Sequence, residues 1–305
     1  MKAYIATPDL SEAVTLMDAP NPAAERDSAV ISVEAVSLNR GEFGGLSEAG
    51  AQPGWDFAGR VTAEALSGKG PRVGDRVAGV VRSGAWAEQI AVPVGQLGLL
   101  PDDVSSSQGS TLGIAGLTAL RLIRSLGNVA GKRILVTGAS GAVGRFAVQL
   151  AEQSGASVTA LVSTPERKPS ISSLRASEVV SDPAELAGPF DFVIDGVGGP
   201  VLEAAIRSVG ANGTVVTYGI AGGAPAQLRF ADFRNGPGSC LRGFFIWQSD
   251  LDSFGIDLTY LADLVKSGAL EAHVALEVEW SELNQGLTAL KERRTEGKVV
   301  ARRAG

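Results

Sequence analysis

One stretch, residues 133–151, constrains the fold of this chain more than any other feature. It begins with an apolar run, Ile134–Val136, continues with three glycines at intervals of three, and ends in apolar residues at helical spacing. This pattern predicts a strand, a tight turn and a helix. Gly138 would allow the sharp turn, Gly141 would let a diphosphate approach the backbone, and Gly144 would let the helix pack on the strand. The N–H groups at the start of such a helix favour the pyrophosphate of a dinucleotide.

Glycine is common in this chain, at 39 of 305 residues, so the spacing alone is also typical of an ordinary strand-to-helix turn. The strand before the turn and the helix after it supply most of the weight for a dinucleotide site. The residues of this segment that are predicted to bind the dinucleotide are Gly138, Ser140, Gly141, Ala142, Val143 and Gly144.

The rest of the chain predicts two domains, since 305 residues are many for a single core. Short alternating strands with glycine at their corners precede residue 100 and predict a β-rich, partly open barrel. Strands and helices then alternate, which predicts a parallel, doubly wound sheet. The last strands are expected to return to the first domain. The predicted domains are therefore 1–99 with 269–305, and 100–268; within the second, 201–209 is predicted as a helix and 241–247 as an apolar edge strand.

Composition argues against several classes of protein. The net charge is −6 and no long basic run occurs, which argues against nucleic acid as a partner. No apolar run approaches the roughly 18–20 residues that span a bilayer. The N-terminal residues do not resemble a signal peptide, and the single cysteine, Cys240, excludes an intramolecular disulfide. Together these features favour a cytoplasmic protein that binds neither membrane nor nucleic acid.

Nine segments of the chain, taken in order, resemble a zinc-free medium-chain dehydrogenase/reductase of the quinone oxidoreductase (zeta-crystallin-like) type. They are AVSLNRGE, PGWDFAGRV, RVGDRVAG, GIAGLTAL, VTGASGAVGRFAVQLA, DFVIDGVGG, GTVVTYG, LRGFFIW and EGKVV. The resemblance covers essentially the whole chain. It implies an α/β fold with a doubly wound, parallel-sheet (Rossmann) domain and a discontinuous, β-rich, GroES-like domain.

Residues after the second strand of the alternating region bear on the choice of cofactor. Roughly 20 residues beyond the last motif glycine, where an NAD-binding protein carries Asp or Glu, this chain has Ser163. A short hydroxyl leaves room for a 2′-phosphate, and Arg167 or Lys168 could pair with it. In the resembled family such residues bind NADPH, which is therefore the predicted cofactor. Two alternatives stay open. Arg167 and Lys168 belong to a solvated loop, or the Glu166 side chain turns inward and the cofactor is NAD.

The resemblance also implies further cofactor contacts, each of which could instead be plain packing. These residues are Thr118, Gly219, Ile220, Phe244, Phe245, Ile246 and Lys298. It further implies a homodimer joined through the edge strand at 241–247.

The chain lacks the cysteine and histidine ligands of the zinc alcohol dehydrogenases, with one Cys and one His in all. Hydride transfer without zinc suits a quinone or an α,β-unsaturated carbonyl, in which negative charge develops on an oxygen. Hydrogen-bond donors near that oxygen lower the barrier. The resemblance makes Asn39 the first candidate, and Arg40, as a cation, is the second. The structural alternatives are that Asn39 holds the loop and that Arg40 forms a surface ion pair, and for Arg40 the ion pair is the favoured interpretation. A non-catalytic NADPH-binding redox sensor and a zinc-free alcohol or polyketide-type enoyl reductase remain alternatives.

Overall fold

The computed structural model describes residues 1–8 and 11–303. The chain divides into two compact units, one of Met1–Leu117 with Trp247–Gly305 and the other of Thr118–Ile246. The predicted dinucleotide domain, 100–268, begins before and ends after the second unit.

Over residues 1–8 and 11–111, the first unit has seven strands and a short helix. They are β1 (Lys2–Ala6), β2 (Val14–Asp18), β3 (Ser28–Leu38), β4 (Asp56–Ala63), β5 (Arg76–Val80), β6 (Gln89–Pro93), β7 (Leu97–Leu99) and α1 (Ser106–Thr111). Strands β1 and β2 form an antiparallel ribbon. Strands β3, β4, β5 and β7 follow one another in an antiparallel sheet, and β6 pairs with β3. The predicted β-rich character of this part is observed.

The second unit contains alternating helices and strands. They are α2 (Leu117–Ser125, which starts one residue before the unit), β8 (Arg133–Thr137), α3 (Ala142–Gln153), β9 (Ser157–Leu161), α4 (Lys168–Ser172), β10 (Glu178–Val180), β11 (Phe190–Asp195), α5 (Gly199–Arg207), β12 (Val209–Thr217) and β13 (Cys240–Gly243). The six strands pair in the order β10-β9-β8-β11-β12-β13, and every pairing is parallel. This is the doubly wound sheet that the alternation predicts.

The tail of the chain completes the first unit. It forms α6 (Phe254–Lys266), β14 (Val274–Glu279), α7 (Leu283–Lys291) and β15 (Lys298–Arg302). Strand β15 pairs antiparallel with β3, so that Val299 lies opposite Leu38, and β14 pairs parallel with β15. The β-rich domain is therefore discontinuous, as predicted.

Each unit has its own apolar core, which follows from the strand patterns. Strand β3, which has three valines and one isoleucine, contributes buried side chains to a cluster that includes Phe57 and Trp86. Strand β8 is buried at four consecutive positions, and β11 buries Val193 in the core of the second unit. Continuous burial of this kind is typical of central strands in a parallel sheet that is covered on both faces.

Two predicted elements have different limits in the structure. The predicted edge strand 241–247 is wrong beyond Gly243, and Ile246–Gln248 form a 3-10 turn instead. The strand ends there because its partner β12 ends at Thr217, which is paired with Gly243. The predicted helix 201–209 is observed as Gly199–Arg207, because Val209 already belongs to β12, where it pairs with Phe190.

Candidate dinucleotide site and a buried polar cluster

The glycine turn after β8 has the geometry that its spacing predicts. Gly138 has a φ of 61°, a conformation that residues with a side chain rarely adopt. A Cβ added at Gly144 would lie 2.4 Å from the Gly138 carbonyl oxygen and 2.7 Å from Cα of Ala139. Because both neighbours are backbone atoms, only glycine allows α3 to approach the turn this closely.

The first turn of α3 offers backbone donors. Its N-cap is Gly141, which has no side chain to cap the helix, and the first N–H to bond within this helix is that of Arg145, to the Gly141 carbonyl. Gly141 is exposed, and Ala142 and Val143 are half-buried. The turn follows β8, which lies between β9 and β11, where the order of strands reverses. Open parallel sheets bind ligands at this point, and the free N–H groups fit a diphosphate.

The structure brings one of the two predicted basic side chains to this turn. Arg167 Nη1 donates to Ser140 Oγ at 3.3 Å, so its guanidinium lies beside the glycine turn. Lys168 instead pairs with Glu185, with 3.5 Å between Nζ and Oε2. Ser163 follows β9 and is exposed. Glu166 is also exposed, and hydrogen bonds from the Thr164 side chain and its own backbone lower the pKa of its carboxyl.

The other predicted contacts in the second unit lie beyond the carboxyl ends of its strands or in α2. Gly219 and Ile220 follow β12, and a Cβ added at Gly198 would lie 3.4 Å from Ile220. Phe244, Phe245 and Ile246 follow β13, and the Phe244 N–H donates to the Thr217 carbonyl at 2.8 Å. Thr118 is buried in α2.

Asp195 is a residue at the same edge of the sheet that the motif reasoning does not single out. It is fully buried at the end of β11, and its carboxylate accepts hydrogen bonds from the hydroxyls of Thr137 and Thr217, at 2.6 and 3.2 Å. It also accepts the N–H of Gly198 at 3.1 Å. Asp195 thus joins the ends of β8, β11 and β12. The sequence signal is an acidic residue that closes an apolar strand.

A buried polar cluster occupies the end of β3 in the first unit. Lys298 Nζ lies 3.0 Å from Asp56 Oδ2, and the side chains of this ion pair are 2% and 0% exposed. The same ammonium donates to Asn39 Oδ1 at 2.8 Å and to the Leu38 carbonyl at 3.2 Å. Lys298, predicted to contact the cofactor, therefore has each of its three N–H groups on a protein acceptor, and the structure groups it with Asn39.

The Asp56 carboxylate is the centre of this cluster. Its Oδ2 accepts from Ser37 Oγ at 2.7 Å and from Asn39 Nδ2 at 2.9 Å, and its Oδ1 accepts the N–H of Ile114 at 2.8 Å. That N–H is available because residues Leu112–Gly116 form a π-helical turn, in which Gly113 has a non-helical ψ of −109°. A Cβ at Gly113 would lie 2.5 Å from Asp56 Oδ1. Such π turns often mark functional sites.

Glu42 is a second buried carboxyl beside this cluster. It is 3% exposed, and its oxygens accept the backbone N–H groups of Asn39 and Trp55, at 2.6 and 2.7 Å. Burial and the neighbouring charge of Asp56 raise the pKa of Glu42 to about 8. Sequence reasoning did not identify this carboxyl because its burial depends on the tertiary fold.

The raised pKa of Glu42 predicts a pH-dependent stability. A carboxyl with a folded pKa of about 8 and an ordinary value of 4.5 contributes stability below pH 4.5, which is lost as the pH rises to 8. Wild type should therefore lose free energy of unfolding relative to Glu42→Gln between pH 5 and 8, by on the order of a few kcal/mol. Urea denaturation at several pH values measures the difference. Glu48→Gln, at an exposed carboxylate nearby, is the control, and parallel curves for wild type and Glu42→Gln would contradict the prediction.

Arg40, the second predicted catalytic residue, lies outside this cluster. Its Nη2 donates to the Leu290 carbonyl at 2.9 Å, near the end of α7. Partial burial, together with the nearby charge of Arg293, lowers the pKa of the Arg40 guanidinium. The contact to a carbonyl at a helix C-terminus is favourable for a cation.

Among residues 1–8 and 11–303, no three His, Cys, Asp or Glu side chains lie close enough together to hold a metal ion. In the same part of the chain, no helix has the length and apolar character needed to cross a bilayer.

Comparison with known proteins gives three kinds of similarity. A family model described as zinc-binding dehydrogenase matches residues 171–300. The chain is 38% identical over 169 residues to a zinc-type alcohol dehydrogenase-like protein of Schizosaccharomyces pombe, covering 50% of this chain and 48% of the relative. It is 31% identical over 237 residues to 2-methylene-furan-3-one reductase of Solanum lycopersicum, covering 70% and 60%. The chain thus spans about half to three fifths of the length of these two relatives.

The fold matches a solved structure along its whole length. The structure of Escherichia coli quinone oxidoreductase complexed with NADPH has a TM-score of 0.87 to this chain, at 18% identity, and the match covers 99% of this chain and 100% of that one. At this identity the likeness shows the fold alone. The family model and the relatives confirm the predicted resemblance to the medium-chain dehydrogenase/reductase family, and the solved structure agrees with the predicted fold.

Proposed function

We propose that this protein is an NADPH-dependent oxidoreductase that reduces a quinone or an α,β-unsaturated carbonyl compound without zinc. The observation that carries the proposal is the glycine turn, where the uncapped start of α3 and the Arg167 guanidinium lie together. The quinone oxidoreductase of the same fold is described with NADPH, and the Solanum lycopersicum relative is named 2-methylene-furan-3-one reductase.

The residues present fit a dinucleotide with a 2′-phosphate. The N–H groups of Ala142 and Val143 would hold the diphosphate, and Ser163 with Arg167 would hold the 2′-phosphate. Lys168 is the weaker candidate because Glu185 already pairs with it. Gly219, Ile220 and residues 244–246 would flank the nicotinamide half. NADPH, when bound, supplies the hydride.

The residues of the first unit would stabilise charge on the acceptor. Asn39 is partly exposed, and one N–H of its carboxamide is available beyond the bond to Asp56. A neutral donor of this kind stabilises the oxygen of a developing enolate or hydroquinone without a metal. Arg40 is the second candidate, since only one of its five N–H groups donates to Leu290.

The cofactor assignment predicts that Arg167→Ala selectively weakens NADPH binding. A charge-assisted hydrogen bond to a phosphate contributes about 1.5–3 kcal/mol, so the Kd for NADPH should rise roughly 10- to 100-fold while that for NADH stays unchanged. Quenching of tryptophan fluorescence by each nucleotide measures both constants. Lys132→Ala, which removes the same charge before β8, is the control. Equal weakening of both nucleotides would contradict the phosphate contact, and binding of neither to wild type would overturn the cofactor site.

A separate assay tests the reaction itself. NADPH oxidation is followed at 340 nm with a panel of quinones and α,β-unsaturated ketones. Turnover with members of one class identifies the acceptor class. Tight NADPH binding without turnover across the panel would overturn the reductase proposal in favour of a non-catalytic redox sensor.

We also propose a cytoplasmic homodimer. Strand β13 has β12 on one side and ends the strand order of its sheet, which leaves an edge that a second copy can extend. Of the apolar residues that follow it, Phe245 is 58% exposed. A reducing compartment suits a chain whose only cysteine, Cys240, is free. Light scattering of the purified protein measures its mass, and a Phe245→Glu variant that stays dimeric would contradict this edge as the interface.

A further inference from the structure

We propose that Lys298 and Asp56 are positioning residues that hold the Asn39 carboxamide in one orientation, with an N–H available to the oxygen of the acceptor. The catalytic part of this inference rests on the proposed function. The orientation itself rests only on the contacts within the first unit.

Lys298 determines which end of the carboxamide faces it. An ammonium group has three donors and no acceptor, and the three partners of Nζ are the Leu38 carbonyl, Asp56 Oδ2 and an Asn39 side-chain atom at 2.8 Å. That Asn39 atom must therefore be the oxygen. The amide nitrogen would direct its hydrogens at an ammonium group, which cannot accept a hydrogen bond.

Asp56 determines the other end by the opposite chemistry. An ionised carboxylate only accepts hydrogen bonds, so the Asn39 atom 2.9 Å from Asp56 Oδ2 must be the amide nitrogen. The oxygen and the nitrogen of the carboxamide are thus each hydrogen-bonded to a charged group, and this cation and anion are themselves paired at 3.0 Å. Rotation of the carboxamide by 180° would place a donor against the Lys298 ammonium and an acceptor against the Asp56 carboxylate.

The orientation leaves one donor unused. Of the two hydrogens on Asn39 Nδ2, one is directed to Asp56, and the contacts within residues 1–8 and 11–303 give the second no acceptor. Asn39 is partly exposed, whereas Lys298 and Asp56 are buried. The backbone is held as well, because the Asn39 N–H donates to Glu42 Oε2 at 2.6 Å. A donor that is fixed before the reaction stabilises developing charge without reorganisation.

Lys298→Met tests the role of the cation, because methionine keeps most of the side-chain volume and removes the donors. We expect kcat with NADPH and an accepted quinone or enone to fall at least tenfold, with the Kd for NADPH unchanged. The decrease in kcat should not exceed the 10²- to 10³-fold decrease that is expected when a whole donor is lost. In an Asn39→Ala background the same substitution should have no further effect on kcat, which a general structural defect would not reproduce.

Lys298→Met leaves the Asp56 carboxylate buried without its cation, which strongly destabilises the fold. Asp56→Asn/Lys298→Met removes both charges together and should fold, while it no longer distinguishes the two ends of the Asn39 carboxamide. We therefore expect the same loss of kcat in this double variant.

A spectroscopic measurement separates the orientation from the reaction. In protein labelled with ¹⁵N at asparagine, the Asn39 side-chain resonances are assigned by their loss in Asn39→Ala. In wild type we expect well-separated shifts for the two Asn39 Nδ2 protons, with the proton that donates to Asp56 downfield. In whichever charge variant folds, the separation between these two shifts should collapse. Unchanged shifts, or an unchanged kcat, would overturn the positioning role. If the shifts behave as expected but wild type reduces no acceptor, the orientation stands and the proposed function fails.

Discussion

Asn39→Ala is expected to lower kcat by about 10²- to 10³-fold, the size of effect found when one preorganised donor to a developing oxyanion is removed. The loss should appear in kcat and in kcat/KM alike, because the donor acts on charge that exists only in the transition state. The Kd for NADPH should stay unchanged. Steady-state NADPH oxidation with an accepted quinone or enone, together with fluorescence titration, measures these quantities.

Asn284→Ala is a matched control for this experiment. Asn284 also lies in the first unit, and its carboxamide bonds the backbone of Val14 through both its oxygen and its nitrogen, at 3.3 and 2.9 Å. Its loss removes an equally well-bonded carboxamide and should leave kcat close to that of wild type. If Asn39→Ala and Asn284→Ala lower kcat by similar factors, the effect is structural and Asn39 is not the donor.

Asp56→Ala is expected to lower the free energy of unfolding by about 3–5 kcal/mol, the range for breaking a buried ion pair by removing one partner. The substitution leaves the Lys298 ammonium buried without its counter-ion and deprives Asn39 and Ile114 of their acceptor. Urea denaturation followed by tryptophan fluorescence measures the loss. Asp56→Ala/Lys298→Met should recover part of it, since no uncompensated charge remains.

The exposed ion pair of Lys2 with Asp18 is the control for this prediction. Its charged atoms lie 2.9 Å apart, but the two side chains are 46% and 85% exposed. Solvent screens such a pair, so Asp18→Ala should change the free energy of unfolding far less than Asp56→Ala. Similar losses for the two variants would show that burial does not give the Asp56 pair its special contribution.

Local chemistry made much of the second unit predictable. The spacing of Gly138, Gly141 and Gly144 specifies a turn and a close helix, because backbone sterics at those positions depend on the residue itself and its near neighbours. The alternation of apolar strands and amphipathic helices likewise predicts a parallel sheet, and the observed order of strands agrees with it. The limits of elements were less predictable. The strand from Cys240 ends at Gly243 because its partner ends, and no pattern within 241–247 reports that.

The buried cluster of the first unit shows what local chemistry leaves open. Lys298 and Asp56 are 242 positions apart in the chain, and their meeting depends on β15 pairing with β3. A lysine before a strand is ordinarily solvated, so its residue type alone favours an exposed contact. Only the fold shows that the ammonium is buried and has three protein acceptors.

The sequence by itself determined the elements and the family resemblance, because hydrophobic periodicity and glycine sterics act over a few residues. It also determined which residues can donate or accept, since that follows from side-chain chemistry alone. The tertiary structure decided which of these groups meet. It directs Arg167 to Ser140 and Lys168 to Glu185, and it buries Lys298 beside Asn39. Such contacts join distant parts of the chain, and their energies depend on burial, which no local pattern encodes.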